Sequence, residues 1–304
     1  MNIPLCPETK MNVPIKKSVL ERAVHSNDNI EMPIPVGSVD CHFHIFSDLF
    51  PIAPYARLRP PPASLEAYHA MQNQLGLCRG ILVQPSTYGT DNQPYLHLMK
   101  ILGTQNYRMV AVVNSMITDA ELSNMHERGV RGIRFNLAQA GATSLNMLET
   151  LSQRVHEFGW HCQVHFPENV LIEAHSLLSR IKGILVFDHI GRIEQPRGID
   201  RISYRIMRSL IDKGNVWVKI SAPYIDSQSG APDYQDVGAV ARSLIRAAPE
   251  RMLWGSDWPH ATEPDTNKPD DRNILQLLAE WAGSKQTINQ ILVKNPEYLY
   301  GFRF

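Results

Sequence analysis

From residue 37 onward, short apolar runs recur along the chain, each followed by a polar break and then an amphipathic stretch. The runs are Val39–Phe46, Gly80–Gln84, Met109–Asn114, Val130–Asn136, His161–Phe166, Ile184–His189, Val216–Ser221 and Met252–Asp257. Their near-continuous apolar cores suit strands covered on both faces, as in a parallel sheet. Helical spacing fills the gaps. Ser64 opens one helix, Thr118 and Glu121 stand at capping-box spacing, and Leu145–Phe158, Ile202–Lys213, Val237–Ala247 and Ile274–Trp281 continue the series. This alternation over residues 39–301 predicts an α/β fold, a single-domain (β/α)8 TIM barrel over residues 37–304. An open doubly wound sheet shares the alternation, but no GxGxxG or GxxxxGK[ST] follows any predicted strand.

Composition narrows the function classes. Among 304 residues, 30 Lys and Arg balance 30 Asp and Glu, so no electrostatic footprint for nucleic acid or an anionic membrane exists. No run of 18 apolar residues occurs, which excludes a spanning helix. Residues 1–36, with Pro4, Pro7, Pro14, Lys10, Lys16 and Lys17, lack the apolar stretch of a signal peptide and read as an irregular N-terminal arm. Cys6, Cys41, Cys78 and Cys162 show no CxxC pair and fit reduced thiols in a cytoplasmic protein. The expected partner is a small molecule; a homo-oligomer is compatible with the sequence.

Chemistry concentrates at the predicted strand ends. The first strand ends in Asp40-Cys41-His42-Phe43-His44, and alternation points His42 and His44 together into the barrel mouth, with Cys41 facing the helix layer. His165 closes the fifth strand, His189 the sixth and Asp257 the eighth. Those ends converge in a barrel, and buried imidazoles and a carboxylate need partners that a divalent cation can supply. Trp254 and Trp258 flank Asp257; Trp258 and Trp217 are candidates to pack a planar ring. Proline-rich loops follow the first strand (Pro51–Pro62) and the last (Pro259–Pro269), where a barrel builds its site.

These positions resemble the amidohydrolase superfamily. Val39-Asp40-Cys41-His42-Phe43-His44, Gly132-Ile133-Arg134-Phe135-Asn136, Phe187-Asp188-His189-Ile190-Gly191-Arg192, Trp254-Gly255-Ser256-Asp257-Trp258-Pro259-His260 and Asn295-Pro296 are similar to its amidohydrolase-2 branch. Gln84-Pro85-Ser86-Thr87-Tyr88-Gly89-Thr90-Asp91-Asn92 resembles the second-strand loop of the 2-pyrone-4,6-dicarboxylate lactonase and sulfomuconolactonase group. The resemblance implies a hydrolase. The chain departs from the pyrone lactonases, which work without a metal, by carrying His165 where they have tyrosine. It also lacks their extra arginines in Leu137-Ala138-Gln139-Ala140-Gly141 and Ser221-Ala222-Pro223-Tyr224-Ile225.

The expected mechanism is lactone opening by metal-activated water. His42, His44, His165 and Asp257 would bind one divalent ion, Zn²⁺ ahead of Mn²⁺, since Arg134 and Asn136 at the fourth strand end supply no bridging ligand. Such an ion lowers the pKa of water to about 7. Asp257 would accept the water proton and His189 would stabilise the developing oxyanion. Arg134 is the candidate clamp for a substrate carboxylate, with Arg192, Ser86, Tyr88 and His260 as further substrate contacts and Lys219 a weaker candidate. Muconolactone-type or sugar-acid lactones are the expected substrates, and the former point to aromatic catabolism. Three alternatives stay open: a metal-free mechanism on the same histidines, a non-oxidative decarboxylase, and a barrel that only binds a ligand.

Overall fold

The computed structural model describes residues 12–14, 31–138 and 142–302. Most of the predicted arm and Gln139-Ala140-Gly141 therefore lie outside the described residues. Asn12–Pro14 and Glu31–Pro33 pair as a short antiparallel ribbon. Eight parallel strands follow: β1 (Val39–Phe43), β2 (Arg79–Val83), β3 (Tyr107–Ala111), β4 (Val130–Asn136), β5 (His161–His165), β6 (Leu185–Phe187), β7 (Val216–Ile220) and β8 (Met252–Trp254). Each pairs with its neighbour in chain order. Hydrogen bonds from Asp257 N to His42 O (2.9 Å) and from His44 N to Trp258 O (2.8 Å) join the last strand to the first. The sheet thus curls into a (β/α)8 barrel, as the alternation predicted.

Helices α1 (Leu65–Gln74), α2 (Gln93–Leu102), α3 (Asp119–Glu127), α4 (Leu148–His156), α5 (Glu168–Leu178), α6 (Ile202–Ile211), α7 (Gln235–Ala247) and α8 (Asp271–Ala282) each follow the strand of the same number. Ser64 caps α1, and Thr118 with Glu121 forms the predicted capping box on α3. Helices α2 and α5 lie outside the helical stretches that the periodicity marks. Both begin beside prolines, Pro94 in the first turn of α2 and Pro167 just before α5.

Two apolar layers result. Phe43, Leu82, Met109, Phe135, Val164 and Phe187 face the helices. Ile81, Val83, Val110, Val186, Trp217 and Leu253 fill the barrel interior, and Leu299, Tyr300 and Phe302 from the C-terminal segment close its lower end. Arg108 ties that plug down through Tyr300 O (3.1 Å) and Gly301 O (2.9 Å). No helix among the described residues is long and apolar enough to cross a membrane. Cys41 and Cys162 are free and buried, whereas Cys78 is disulfide-bonded, which corrects the expectation of four reduced thiols.

Candidate active site

The register between β1 and β2 slips between Asp40 and Phe43. Asp40 turns outward to Tyr68 of α1 (3.2 Å), and Phe43 stacks on the same tyrosine. Cys41 packs with the interior cluster instead of the helix layer, and His42 also points inside. An extra residue in one strand breaks the two-residue alternation, and the sequence pattern does not reveal it. Gly255 lets β8 cross this point: a Cβ there would sit 2.5 Å from His42 Cβ.

Strand β6 is short, and the chain beyond it enters the left-handed region at His189 (φ 49°), Ile190 (φ 56°) and Arg192 (φ 54°). This turn brings the adjacent Asp188 and His189 both to the mouth. Asp257 (φ 61°) and His260 (φ 58°) repeat the device after β8. Non-glycine residues in this region cost energy and concentrate at functional sites.

The imidazoles of His42 and His44 meet Nε2 to Nε2 at 3.2 Å. Asp257 Oδ1 lies 3.5 Å from His42 Nε2, 3.7 Å from His44 Nε2 and 3.9 Å from His189 Nε2. Ligands about 2.1 Å from a tetrahedral zinc stand roughly 3.4 Å apart. His42, His189 and Asp257 together have the spacing of a metal site, and His44 lies close to two of them. Burial lowers the pKa of all three imidazoles, that of His44 to about 3. Burial pushes Asp257 up to about 6 although Tyr224 donates to its Oδ2 at 2.6 Å. His260 braces Tyr224 (3.2 Å) and reaches Asp271 (3.0 Å).

His165 is placed differently from the expected ligand set. Its ring lies 4.9 Å from that of His189, yet its two nitrogens face guanidinium groups: Arg134 Nη2 at 3.4 Å and Arg192 Nη1 at 2.7 Å. Arg192 is fixed by a bidentate pair with Asp226 (2.7 and 3.0 Å). Arg134 Nε donates to Asp188 Oδ2 at 3.0 Å, and Gln163 Nε2 donates to the same oxygen at 3.1 Å. Below them Lys219 reaches Gln163 Oε1 (2.7 Å) and His42 Nδ1 (3.2 Å). Burial lowers Lys219 to about 8. Burial alone would raise Asp188, but His42 beside it and the charges of Arg134 and Lys219 together hold it well below the usual carboxylate range.

His44, Arg134, Asn136, His165, His189 and Asp257 line a cavity of about 40 Å³, roofed by Phe46, Leu58 and Ile225. Ser86 joins this lining. Tyr88 does not: it packs against Phe46, Phe50 and Tyr95, and its hydroxyl accepts the Ser47 N–H. His260 stands behind Tyr224 rather than in the lining. Trp217 stacks on Tyr298 near the C-terminal plug, and Trp258 lies against Tyr68, so neither offers a face to a ring in the cavity.

The model for the Amidohydrolase family matches residues 39–302. The chain belongs to this family. It is 33% identical over 280 residues to 4-sulfomuconolactone hydrolase from Rhizobium radiobacter, covering 90% of this chain and 92% of that protein. It is 32% identical to 2-pyrone-4,6-dicarboxylate hydrolase from Comamonas testosteroni, over 89% and 92% of the two chains. Among solved structures, an apo protein from Agrobacterium tumefaciens superposes with a TM-score of 0.83 at 29% identity, covering 89% and 97% of the chains.

Sequence reasoning about this amidohydrolase gave no role to Asp188, Gln163, Ser221 or Tyr224. Gln163, at an inward position of the apolar strand β5, and Asp188, directly after the apolar strand β6, carried a usable signal. Ser221, 3.0 Å from His189 Nδ1, and Tyr224 follow β7 at its mouth, and only packing reveals their partners.

Proposed function

We propose that this amidohydrolase opens the lactone ring of a small carboxylated compound by attack of water on the ring carbonyl. The observation that carries the reading is Asp257, whose Oδ1 lies within 3.5–3.9 Å of three imidazole nitrogens in a cavity also lined by Arg134. Both curated relatives described above are named as hydrolases of such ring compounds.

Asp257 takes the proton of the attacking water and delivers it to the leaving ring oxygen. Tyr224 fixes the carboxylate through its hydrogen bond at 2.6 Å. His189, neutral and turned by Ser221, faces the developing oxyanion with Nε2 where no cation is bound, and would instead give that nitrogen to the cation where one is. Arg134 has committed Nε to Asp188 and turns Nη2 to His165, which leaves Nη1 to grip a substrate carboxylate. Arg192, paired with Asp226, sets a guanidinium N–H against His165. Muconolactone-type substrates would place the reaction in aromatic catabolism, and sugar-acid lactones share the same chemistry.

His42, His44, His189 and Asp257 fit one divalent cation, zinc ahead of manganese, by their spacing and by the buried Asp188 Oδ1 behind His42, which accepts no hydrogen bond. Bound there, it supplies a Lewis acid and an acidified water. His165, expected as a ligand, stands with Asp188 and His189 in a second group of possible ligands that shares His189.

Incubation with muconolactone-type lactones, sugar-acid lactones and hydroxybenzoates tests the reading. Release of acid without CO₂ supports it. Evolution of CO₂ points to decarboxylation, a rearranged lactone to isomerisation, and no turnover of any lactone overturns it. Elemental analysis before and after chelation tests the cation: about one equivalent, with activity lost on removal, is expected.

A further inference from the structure

His44 Nδ1 lies 2.6 Å from the carbonyl oxygen of Val83. A carbonyl only accepts, so Nδ1 carries the hydrogen and the neutral ring keeps a lone pair on Nε2. That lone pair faces His42 Nε2 at 3.2 Å. Two lone pairs at this distance repel each other; the contact is a hydrogen bond only when His42 carries its hydrogen on Nε2. Asp257 Oδ1, 3.5 Å from the same nitrogen, favours the same placement. His42 Nδ1 is then an acceptor, and the Lys219 ammonium 3.2 Å away is a donor that can satisfy it.

His42 Nδ1 has a second neighbour, Asp188 Oδ1 at 3.3 Å. The other oxygen of Asp188 is filled by Arg134 and Gln163, whereas Oδ1 is buried with the Lys219 ammonium 3.7 Å away and accepts no hydrogen bond. One ring nitrogen cannot accept from Lys219 and donate to Asp188 at once. We infer that Lys219 and Asp188 are alternative partners for His42: Lys219 holds the Nε2–H tautomer while no cation is bound, and Asp188 receives Nδ1–H once a divalent cation takes Nε2.

The exchange moves one hydrogen from Nε2 to Nδ1 through solvent and leaves the ring neutral. Lys219 is therefore a positioning residue. It presents an N–H to the centre of the site and opposes cation binding, while Asp188 favours it. The inference rests on reading this cluster as the catalytic centre, and it is independent of which lactone is turned over.

The test uses the full chain, with ¹⁵N-labelled histidine and stripped of metal. Two-bond ¹H–¹⁵N spectra report the tautomer, with His42 assigned by comparison with His42→Gln. The wild type should show Nε2–H and should convert to Nδ1–H when Zn²⁺ is added. Lys219→Met, which leaves His44 and Asp257 facing Nε2 but frees Nδ1 for Asp188, should raise the Nδ1–H fraction without metal and bind Zn²⁺ about tenfold more tightly or better. Lys219→Arg, which keeps a donor, should retain the wild-type pattern. Nδ1–H in the metal-free wild type would overturn the inference, and that spectrum decides the question even if Lys219→Met fails to fold. Unchanged spectra and Zn²⁺ affinity in Lys219→Met would overturn it equally. Predicted spectra in a chain that hydrolyses no lactone support the tautomer exchange and overturn only the functional reading.

Discussion

Arg134 donates through Nε to Asp188 Oδ2 at 3.0 Å, and both side chains are buried. The same guanidinium lines the cavity, so one residue neutralises an internal carboxylate and faces the substrate. Removing one partner of a buried pair costs about 3–5 kcal/mol, because the other charge remains in a poorly solvating interior. Arg134→Met should therefore lower both the melting temperature and kcat/KM. Adding Asp188→Asn should recover much of the thermal stability without restoring activity. Melting curves of the two variants check this, and a double variant no more stable than the single one would contradict it.

Tyr224 donates to Asp257 Oδ2 at 2.6 Å. Tyr224→Phe keeps the ring but removes that donor, so Asp257 loses orientation rather than identity. A fall in kcat of about tenfold with little change in KM is expected. Asp257→Asn removes the base itself and should cost on the order of a thousandfold in kcat. Circular dichroism should show both variants folded; full activity in Asp257→Asn would reject the base assignment.

Thr87 fastens the first loop over the cavity: its Oγ1 donates to Leu58 O at 2.9 Å, and its carbonyl accepts Ala53 N at 2.9 Å. Leu58 of this loop lines the cavity of about 40 Å³, so opening of the loop would widen it for substrate. Thr87→Val deletes one hydrogen bond, worth about 1 kcal/mol. Proteolysis within residues 47–63 should then run about fivefold faster, since cleavage follows the open population. Global unfolding should be little affected.

Asp236, at the start of α7, gathers the β7–α7 loop. It accepts from Ser227 and Ser229 hydroxyls (2.6 and 2.7 Å) and from Gln228 and Val237 backbone N–H groups (2.6 and 2.8 Å). Burial by itself would raise its pKa, but these bonds outweigh it and hold the carboxyl at about 2 against an ordinary 3.8. A depressed carboxyl stabilises the folded chain above its ordinary pKa, and that stability is lost as pH falls from 3.8 towards 2. Urea titrations should show wild type more stable than Asp236→Asn at neutral pH, with the difference shrinking below pH 3.8. A difference independent of pH would rule out this carboxylate as its source.

The sequence by itself determined the barrel and the five strand-end groups. An apolar run bounded by polar residues is a local pattern, and it fixes where a parallel strand ends whatever the rest of the chain does. His42, His44, His165, His189 and Asp257 are all buried at the same mouth for that reason. Only the tertiary structure decided what each group faces. A register slip at Asp40–Phe43 turned Cys41 inward, and two arginines claimed the nitrogens of His165. Lys219 came to rest beneath His42, 177 residues away in the chain. Hydrogen-bond partners across a closed barrel depend on strand register and on the neighbours each strand acquires, and neither is written in the periodicity of a single segment.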